Sequence, residues 1–133
     1  MRTRLILISW AAGMLFAANA VAAAPSLSTL SSSQAGVTVK VTPRTVPGGS
    51  WEFELTFDTH SGELTDDLQK TATLVTDRGA RLSPAQWQGD PAGGHHRKGV
   101  LRFEAVSPAP KTIELQVRRA GESAPRSFRW QLE

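Results

Sequence analysis

Apolar and polar residues alternate with a period of two along most of the chain. Between Trp51 and Asp58, four large apolar side chains alternate with four polar ones. Successive side chains of a strand point to opposite faces, so this pattern predicts a β-strand with one buried face and one wet face. This pattern, or a β-prone composition, marks seven segments: 37–42, 51–58, 71–76, 81–88, 100–105, 113–118 and 128–132.

Residues typical of tight turns separate these segments. Pro47-Gly48 suits a type II turn, and Asp77-Arg78-Gly79 suits a hairpin. Short strands at this spacing predict an all-β fold, a single antiparallel immunoglobulin-like β-sandwich of about seven strands that occupies residues 37–133. Pro84 interrupts the fourth segment, which predicts that this strand lies at a sheet edge or contains a bulge.

The first 24 residues have the composition of an export signal. Arg2 and Arg4 precede an apolar run, and small residues with Ala-x-Ala patterns follow it, as in a cleavable signal peptide. A transmembrane anchor is the competing interpretation of the run. The small residues, and the lack of a basic cluster after them, favour cleavage at the end of 1–24. We therefore expect a periplasmic or secreted protein with no stable membrane anchor.

The next segment, 25–36, is rich in serine. Such a polar stretch buries little apolar surface, so it predicts a flexible leader. Leu27 and Leu30 could still attach it to the domain.

Signal cleavage would change the chemistry available to the protein. Met1 and Met14 are the only methionines, and the chain has no cysteine. The mature protein would contain no sulfur, which excludes disulfides, thiolate nucleophiles, zinc–cysteine sites and the usual blue-copper centre. Without the two signal arginines, 13 basic residues face 12 acidic ones, a net charge of +1. This balance does not favour nucleic acid as a partner.

The three histidines, His60, His95 and His96, are the strongest candidates for chemistry. Two predicted strands separate His60 from the other two, so an up-and-down chain returns both histidine loops to the same end of the sandwich. Neutral imidazoles, alone or with carboxylates, bind zinc or Cu(II). The sequence therefore predicts a divalent metal site with these three ligands, and with Asp58, Asp66, Asp67 and Asp90 as candidate ligands or second-shell groups.

A structural use of the same imidazoles is the competing interpretation. In that case they hydrogen-bond loop carbonyls or aspartates and brace the long loops. Catalysis is not expected, because no Gly-x-Ser-x-Gly elbow or paired nucleophile and base is present. We interpret Asp66-Asp67 as a solvated loop or helix start, and the basic pairs Arg97-Lys98 and Arg118-Arg119 as solvated strand ends.

Tryptophan offers a further possibility. Trp51 and Trp130 alternate strictly with polar residues, which predicts that they pack in the core. Trp87 precedes the second histidine loop, and it could either cap the core or contact a sugar ring.

The segments Trp87-Gln88-Gly89-Asp90, Gly93-Gly94-His95-His96-Arg97 and Asp58-Thr59-His60-Ser61 resemble parts of small exported bacterial sandwich proteins of immunoglobulin-like or cupredoxin-like type. The resemblance implies an exported sandwich but no particular reaction. We therefore expect a non-enzymatic protein that binds Zn or Cu(II) through loop histidines. The alternatives are a metal-free module that docks to an envelope or extracellular protein, and a carbohydrate-binding protein.

Overall fold

A computed structural model describes residues 27–46 and 48–132, so the predicted signal peptide lies outside the described residues. The described chain forms nine strands and one short helix. In order these are β1 (Leu30–Gln34), β2 (Val37–Thr45), β3 (Trp51–Thr59), α1 (Leu68–Thr71), β4 (Ala72–Thr76), β5 (Arg81–Leu82), β6 (Gln86–Gly89), β7 (His96–Phe103), β8 (Thr112–Val117) and β9 (Arg126–Gln131). No helix in this part of the chain is long and apolar enough to cross a membrane.

The strands form two antiparallel sheets that pack face to face as a β-sandwich. One sheet has the order β1-β2-β3-β7-β6, and the other has the order β5-β4-β8-β9. The prediction of an all-β sandwich is confirmed. Its period-two pattern is also observed, because β3 alternates strictly between buried and partly exposed residues along its whole length.

The strand count differs from the predicted seven at two places. The segment 81–88 is divided by Pro84 into β5 and β6, which lie at edges of opposite sheets. The edge position predicted from Pro84 is therefore correct, but the segment changes sheets instead of forming one strand. Proline lacks the amide proton that a continuous strand would need there.

The second difference is in the serine-rich segment 25–36, where the flexible-leader prediction is wrong over Leu30–Gln34. These residues form β1 and pair with β2 from Leu30↔Val41 to Gln34↔Val37. Ser31 and Ser33 are exposed on this strand, and the Ser33 hydroxyl forms a hydrogen bond with the Thr38 hydroxyl at 2.8 Å. Pairing with a neighbouring strand thus compensates for the small apolar area.

The core lies between the inner faces of the two sheets. Phe53 is at its centre, with its ring centroid 5.7 Å from those of both Phe103 and Trp130. Trp51 and Trp130 are buried, as predicted. Leu27 and Leu30 pack against this core from the N-terminal side. Aromatic pairs at such distances add to the stabilisation that apolar burial provides.

A buried arginine, Arg126, joins the two sheets at the edge formed by β1 and β9. Its side chain is fully buried, and all five of its N–H donors have acceptors. It donates to the carbonyl oxygens of Ser32, Gln34 and Val37, each at 2.9 Å, and twice to the carboxylate of Glu122. Because a guanidinium has five donors in a fixed plane, this site satisfies it completely.

Arg126 is one end of a chain of alternating charges. Glu122 also accepts from Arg119, and Arg119 in turn donates to both carboxylate oxygens of Asp66 at 3.2–3.3 Å. The side chains of these four residues are at most 12% exposed. The two arginines and two carboxylates therefore neutralise each other inside the fold, at the end of the sandwich where β3 finishes.

This chain of charges predicts an acid-sensitive stability. The pKa of Glu122 lies below its ordinary value, first because Arg126 donates hydrogen bonds to it, and burial opposes this effect. The unfolded chain then binds more protons than the folded one. Stability from this group is present above the unfolded pKa of about 4.3 and is lost as pH falls through the lower folded pKa.

We expect the free energy of unfolding, measured by urea titration, to decrease as pH falls below about 5. The variant Glu122→Gln should be less stable at neutral pH and should show a shallower acid decline. Exposed Glu63→Gln is the matched control and should keep the wild-type slope. Equal slopes for the two variants would contradict the assigned role of Glu122.

Candidate functional site

The two histidine loops meet at one end of the sandwich, as expected, although segment 81–88, which that expectation took as one strand, is divided between the two sheets. We define the histidine-loop end as residues 60–67 and 90–95, beside the ends of β3 and the start of β7. The backbone amide of Thr59 donates to the carbonyl of His95 at 2.9 Å. Because β3 and β7 are antiparallel neighbours, the end of one strand lies next to the start of the other.

Backbone hydrogen bonds connect the two loops further out. The amide of Leu64 donates to the carbonyl of Gly94 at 3.0 Å, and the amide of Gly93 donates to the carbonyl of Leu64 at 2.8 Å. Leu64 is fully buried beneath this connection. Gly93 and Gly94 have φ angles of +119° and +73°, which side chains other than glycine adopt at a cost. The expected sharp bend is therefore present, and it joins the loops through their backbones.

The imidazoles themselves are exposed. His60 and His95 lie on the surface, and neither side chain forms a hydrogen bond within the part of the chain that the structure describes. His96 is the first residue of β7, so its predicted loop position is corrected. It lies opposite Asp58 in the sheet, and its Nδ1 is 2.5 Å from the Asp58 Oδ1. This exposed pair is the one imidazole–carboxylate contact among the described residues.

The candidate aspartates Asp67 and Asp90 lie at the same end, but neither of their carboxylates contacts an imidazole among the described residues. Asp90 accepts a hydrogen bond from the amide of Lys98 at 2.9 Å and so belongs to the connection between β6 and β7. Asp67 precedes α1, and its carboxylate is 3.8 Å from the Lys70 Nζ. In residues 27–46 and 48–132, no three His, Cys, Asp or Glu side chains form a group that could hold a metal ion.

Arg97 braces the two loops, although the sequence analysis predicted that it is solvated. Arg97 is buried. Its Nε donates to the carbonyl of Asp90 at 3.1 Å, and its Nη1 donates to the carbonyl of Asp66 at 2.5 Å. The guanidinium also lies over the Trp87 ring, 5.3 Å from its centroid. Arg97 thus connects both histidine loops and an aromatic side chain, while Lys98 next to it is exposed.

The neighbouring interpretation of Arg118-Arg119 and Asp66-Asp67 is corrected in the same way. One member of each pair, Arg118 and Asp67, is exposed as expected. The other members, Arg119 and Asp66, form the ion pair of the buried charge chain. Adjacent residues of an extended segment point to opposite sides, so a pair of like charges is divided between surface and interior.

Trp87 completes this region. It is partly buried against the core, and its indole Nε1 donates to the carbonyl of Asp90 at 3.2 Å. Its ring covers Gly99, where an added Cβ would lie only 2.6 Å from ring carbons. The core-capping interpretation of Trp87 is confirmed, and Gly99 is the residue that makes space for the ring.

This geometry predicts that Arg97, and not the imidazoles, stabilises the loops. Arg97→Met would leave the Asp66 carbonyl without a donor and the Asp90 carbonyl with only the Trp87 indole, and should reduce the free energy of unfolding by about 1–3 kcal/mol. Exposed Lys98→Met is the matched control and, like His60→Ala and His95→Ala, should change it by less than about 0.5 kcal/mol. Chemical denaturation measures all four variants. A larger loss in either histidine variant than in Arg97→Met would contradict this assignment.

Comparison with known proteins identified no relative of this chain. No protein-family model, curated protein or solved structure matches the chain.

Proposed function

We propose that this chain is an exported, non-enzymatic, immunoglobulin-like β-sandwich that binds an envelope or extracellular protein through its histidine-loop end. The main support for the proposal is that the groups that hold the loops in place are different from the side chains that the loops expose. Backbone hydrogen bonds, Leu64 and Arg97 fix the loops, so the imidazoles of His60 and His95 are left on the surface of a fixed platform. Rigidly positioned polar loops at the end of a sandwich are typical binding surfaces.

The strand order supports the immunoglobulin-like assignment. Immunoglobulin sandwiches pack an ABED sheet on a CFG sheet. Here β2-β3-β7-β6 corresponds in order to ABED, and β4-β8-β9 corresponds to CFG, with β5 beside β4. In that correspondence the first histidine loop follows strand B, as one of the antigen-binding loops of variable domains does. The first histidine loop thus has a position analogous to that of an antigen-binding loop, which supports this end of the sandwich as the binding surface.

Export is tested by fractionating cells and sequencing the N-terminus of the recovered protein. We expect a chain that begins near residue 25 in the periplasm or the medium. An intact chain that still begins at Met1 in the cytoplasm would contradict the export part of the proposal.

Partner binding is tested by photo-crosslinking in living cells. A photoreactive amino acid at His95 should give a discrete adduct that excess purified wild-type protein competes away and that excess His60→Ala/His95→Ala/His96→Ala protein does not. The matched control is the same amino acid at Arg78, in the turn at the opposite end of the sandwich, and it should not give that adduct. The same adduct from both positions, or equal competition by both proteins, would contradict docking through this end.

A divalent metal is the second candidate ligand, and the Asp58–His96 pair favours it. Metal-binding histidines commonly donate one ring N–H to a carboxylate, which leaves the other nitrogen for the ion. With Nδ1 of His96 held by Asp58, its Nε2 would bind Zn²⁺ or Cu²⁺, and a loop movement would have to bring in His60 or His95. Calorimetric titration with each ion separates this candidate from the first. Stoichiometric binding that is lost in His96→Ala supports it, and no binding near neutral pH contradicts it.

A further inference from the structure

A cationic groove lies on the outer face of the β5-β4-β8-β9 sheet, away from the histidines. It is an open depression of about 160 Å³, and six of its lining residues carry polar groups: Lys70, Thr71, Thr73, Arg81, Gln116 and Arg118. Pockets that enclose whole small molecules usually have roughly 300–1,000 Å³. This volume instead suits one small polar group of a ligand.

The charge of the groove has a single sign. Three cations line it and no carboxylate does. Arg81 and Arg118 form no ion pair within residues 27–46 and 48–132, and Lys70 has only a 3.8 Å contact with exposed Asp67. The nearest carboxylate along β8, Glu114, does not line the groove and already accepts hydrogen bonds from Ser127, Arg129 and the Gln116 amide. The three positive charges are therefore available to a ligand.

The strand register explains why these cations converge. Thr73 pairs with Gln116 across β4 and β8, and the amide of Arg118 donates to the carbonyl of Thr71 at 2.9 Å. The Arg81 side chain extends from β5 and donates to the Gln116 Oε1 at 3.1 Å. Gln116 thus positions the Arg81 guanidinium over the neighbouring strands.

One of the residues that line the groove, Thr71, carries an unsatisfied hydroxyl. The Thr71 Oγ1 is buried and has no hydrogen-bond partner, the one such side-chain atom among the described residues. Buried polar groups without partners cost stability and are rare in folded proteins. Because the protein encloses this atom, a ligand oxygen would accept a hydrogen bond from it only if neighbouring side chains of the groove moved aside.

From this combination we propose that the groove binds a phosphate group. Arginine guanidinium groups match the geometry of phosphate oxygens and form two parallel hydrogen bonds with them. Lys70 would add a third positive charge, and Thr71 would donate to a further oxygen. The phosphate could belong to a lipid headgroup or be free in solution, and both sources present the same group.

Titration with inorganic phosphate at constant low ionic strength, followed by two-dimensional NMR, tests the site. We expect saturable shifts of the amides of residues 71–73 and 116–118. Arg81→Gln/Arg118→Gln should raise the phosphate Kd by about tenfold or more, since two charge-assisted hydrogen bonds are lost. Arg78→Gln/Arg102→Gln, which removes the same charge elsewhere on the surface, should leave the Kd within about twofold. No saturable shift, or equal weakening by both variants, would overturn the proposal.

Thr71→Val separates a binding role from a structural one. This change removes the unsatisfied hydroxyl, so the ligand-free protein should be as stable as the wild type or more stable. Its phosphate affinity should nevertheless fall by roughly threefold, because one neutral hydrogen bond is lost. An unchanged affinity would overturn the assignment of Thr71 to the site.

Vesicle binding distinguishes the two sources. Phosphatidylglycerol vesicles that retain the wild-type protein and release Arg81→Gln/Arg118→Gln, with no retention on phosphatidylcholine, would assign the groove to a lipid headgroup. Phosphate binding without vesicle retention would assign it to soluble phosphate. Equal vesicle retention of the wild type and this variant would overturn a lipid role for the groove.

Discussion

The buried guanidinium of Arg126 is the interaction on which the arrangement of the two sheets most depends. It joins β9 to the carbonyls of Ser32, Gln34 and Val37, and so connects the end of one sheet to the edge of the other. An unprotected edge strand is a template for pairing with another chain. Arg126 occupies carbonyls of this edge and supplies the positive charge that Glu122 neutralises. Removing one partner of such a buried pair typically costs about 3–5 kcal/mol.

The same charge chain also determines what the histidine-loop end can do. From Arg126 it continues through Glu122 and Arg119 to Asp66, and the backbone carbonyl of Asp66 accepts from Arg97. The loops are therefore held from below by buried arginines. The side chains of His60 and His95 form no hydrogen bond among the described residues, so we expect them to contribute little to stability. The buried arginines that hold the loops are thus distinct from the exposed loop side chains that we propose to contact a partner.

The sequence pattern predicted the sandwich, most strand positions and the meeting of the two histidine loops. It did so because burial imposes a period of two, and because strand direction alternates along the chain. The buried arginines were missed, since basic residues near strand ends are usually solvated. A usable signal was nevertheless present in the alternation. Arg97 is an even number of residues from Leu101 and Phe103, and Arg126 is two residues from Phe128. Both arginines therefore lie on the inward face of their strands.

Other features depended on information that the local pattern lacks. Strand β1 forms although its composition is polar, because its backbone pairs with β2 and accepts a hydrogen bond from Arg126. The contact between His96 and Asp58 depends on the register of β3 and β7, which alternation alone does not fix. The cationic groove likewise combines residues from α1, β4 and β5 with residues in and just after β8, which are distant in sequence.

Native-state hydrogen exchange of Arg126→Met, beside the exposed control Arg129→Met, tests the central role of Arg126 most directly. Opening free energies report the stability of each part of a fold separately. The account predicts that amides of β1 and the start of β2 lose protection by more than about tenfold relative to those of β8, and that Arg129→Met leaves this ratio unchanged. A uniform loss of protection in all strands, or no loss in β1, would contradict it.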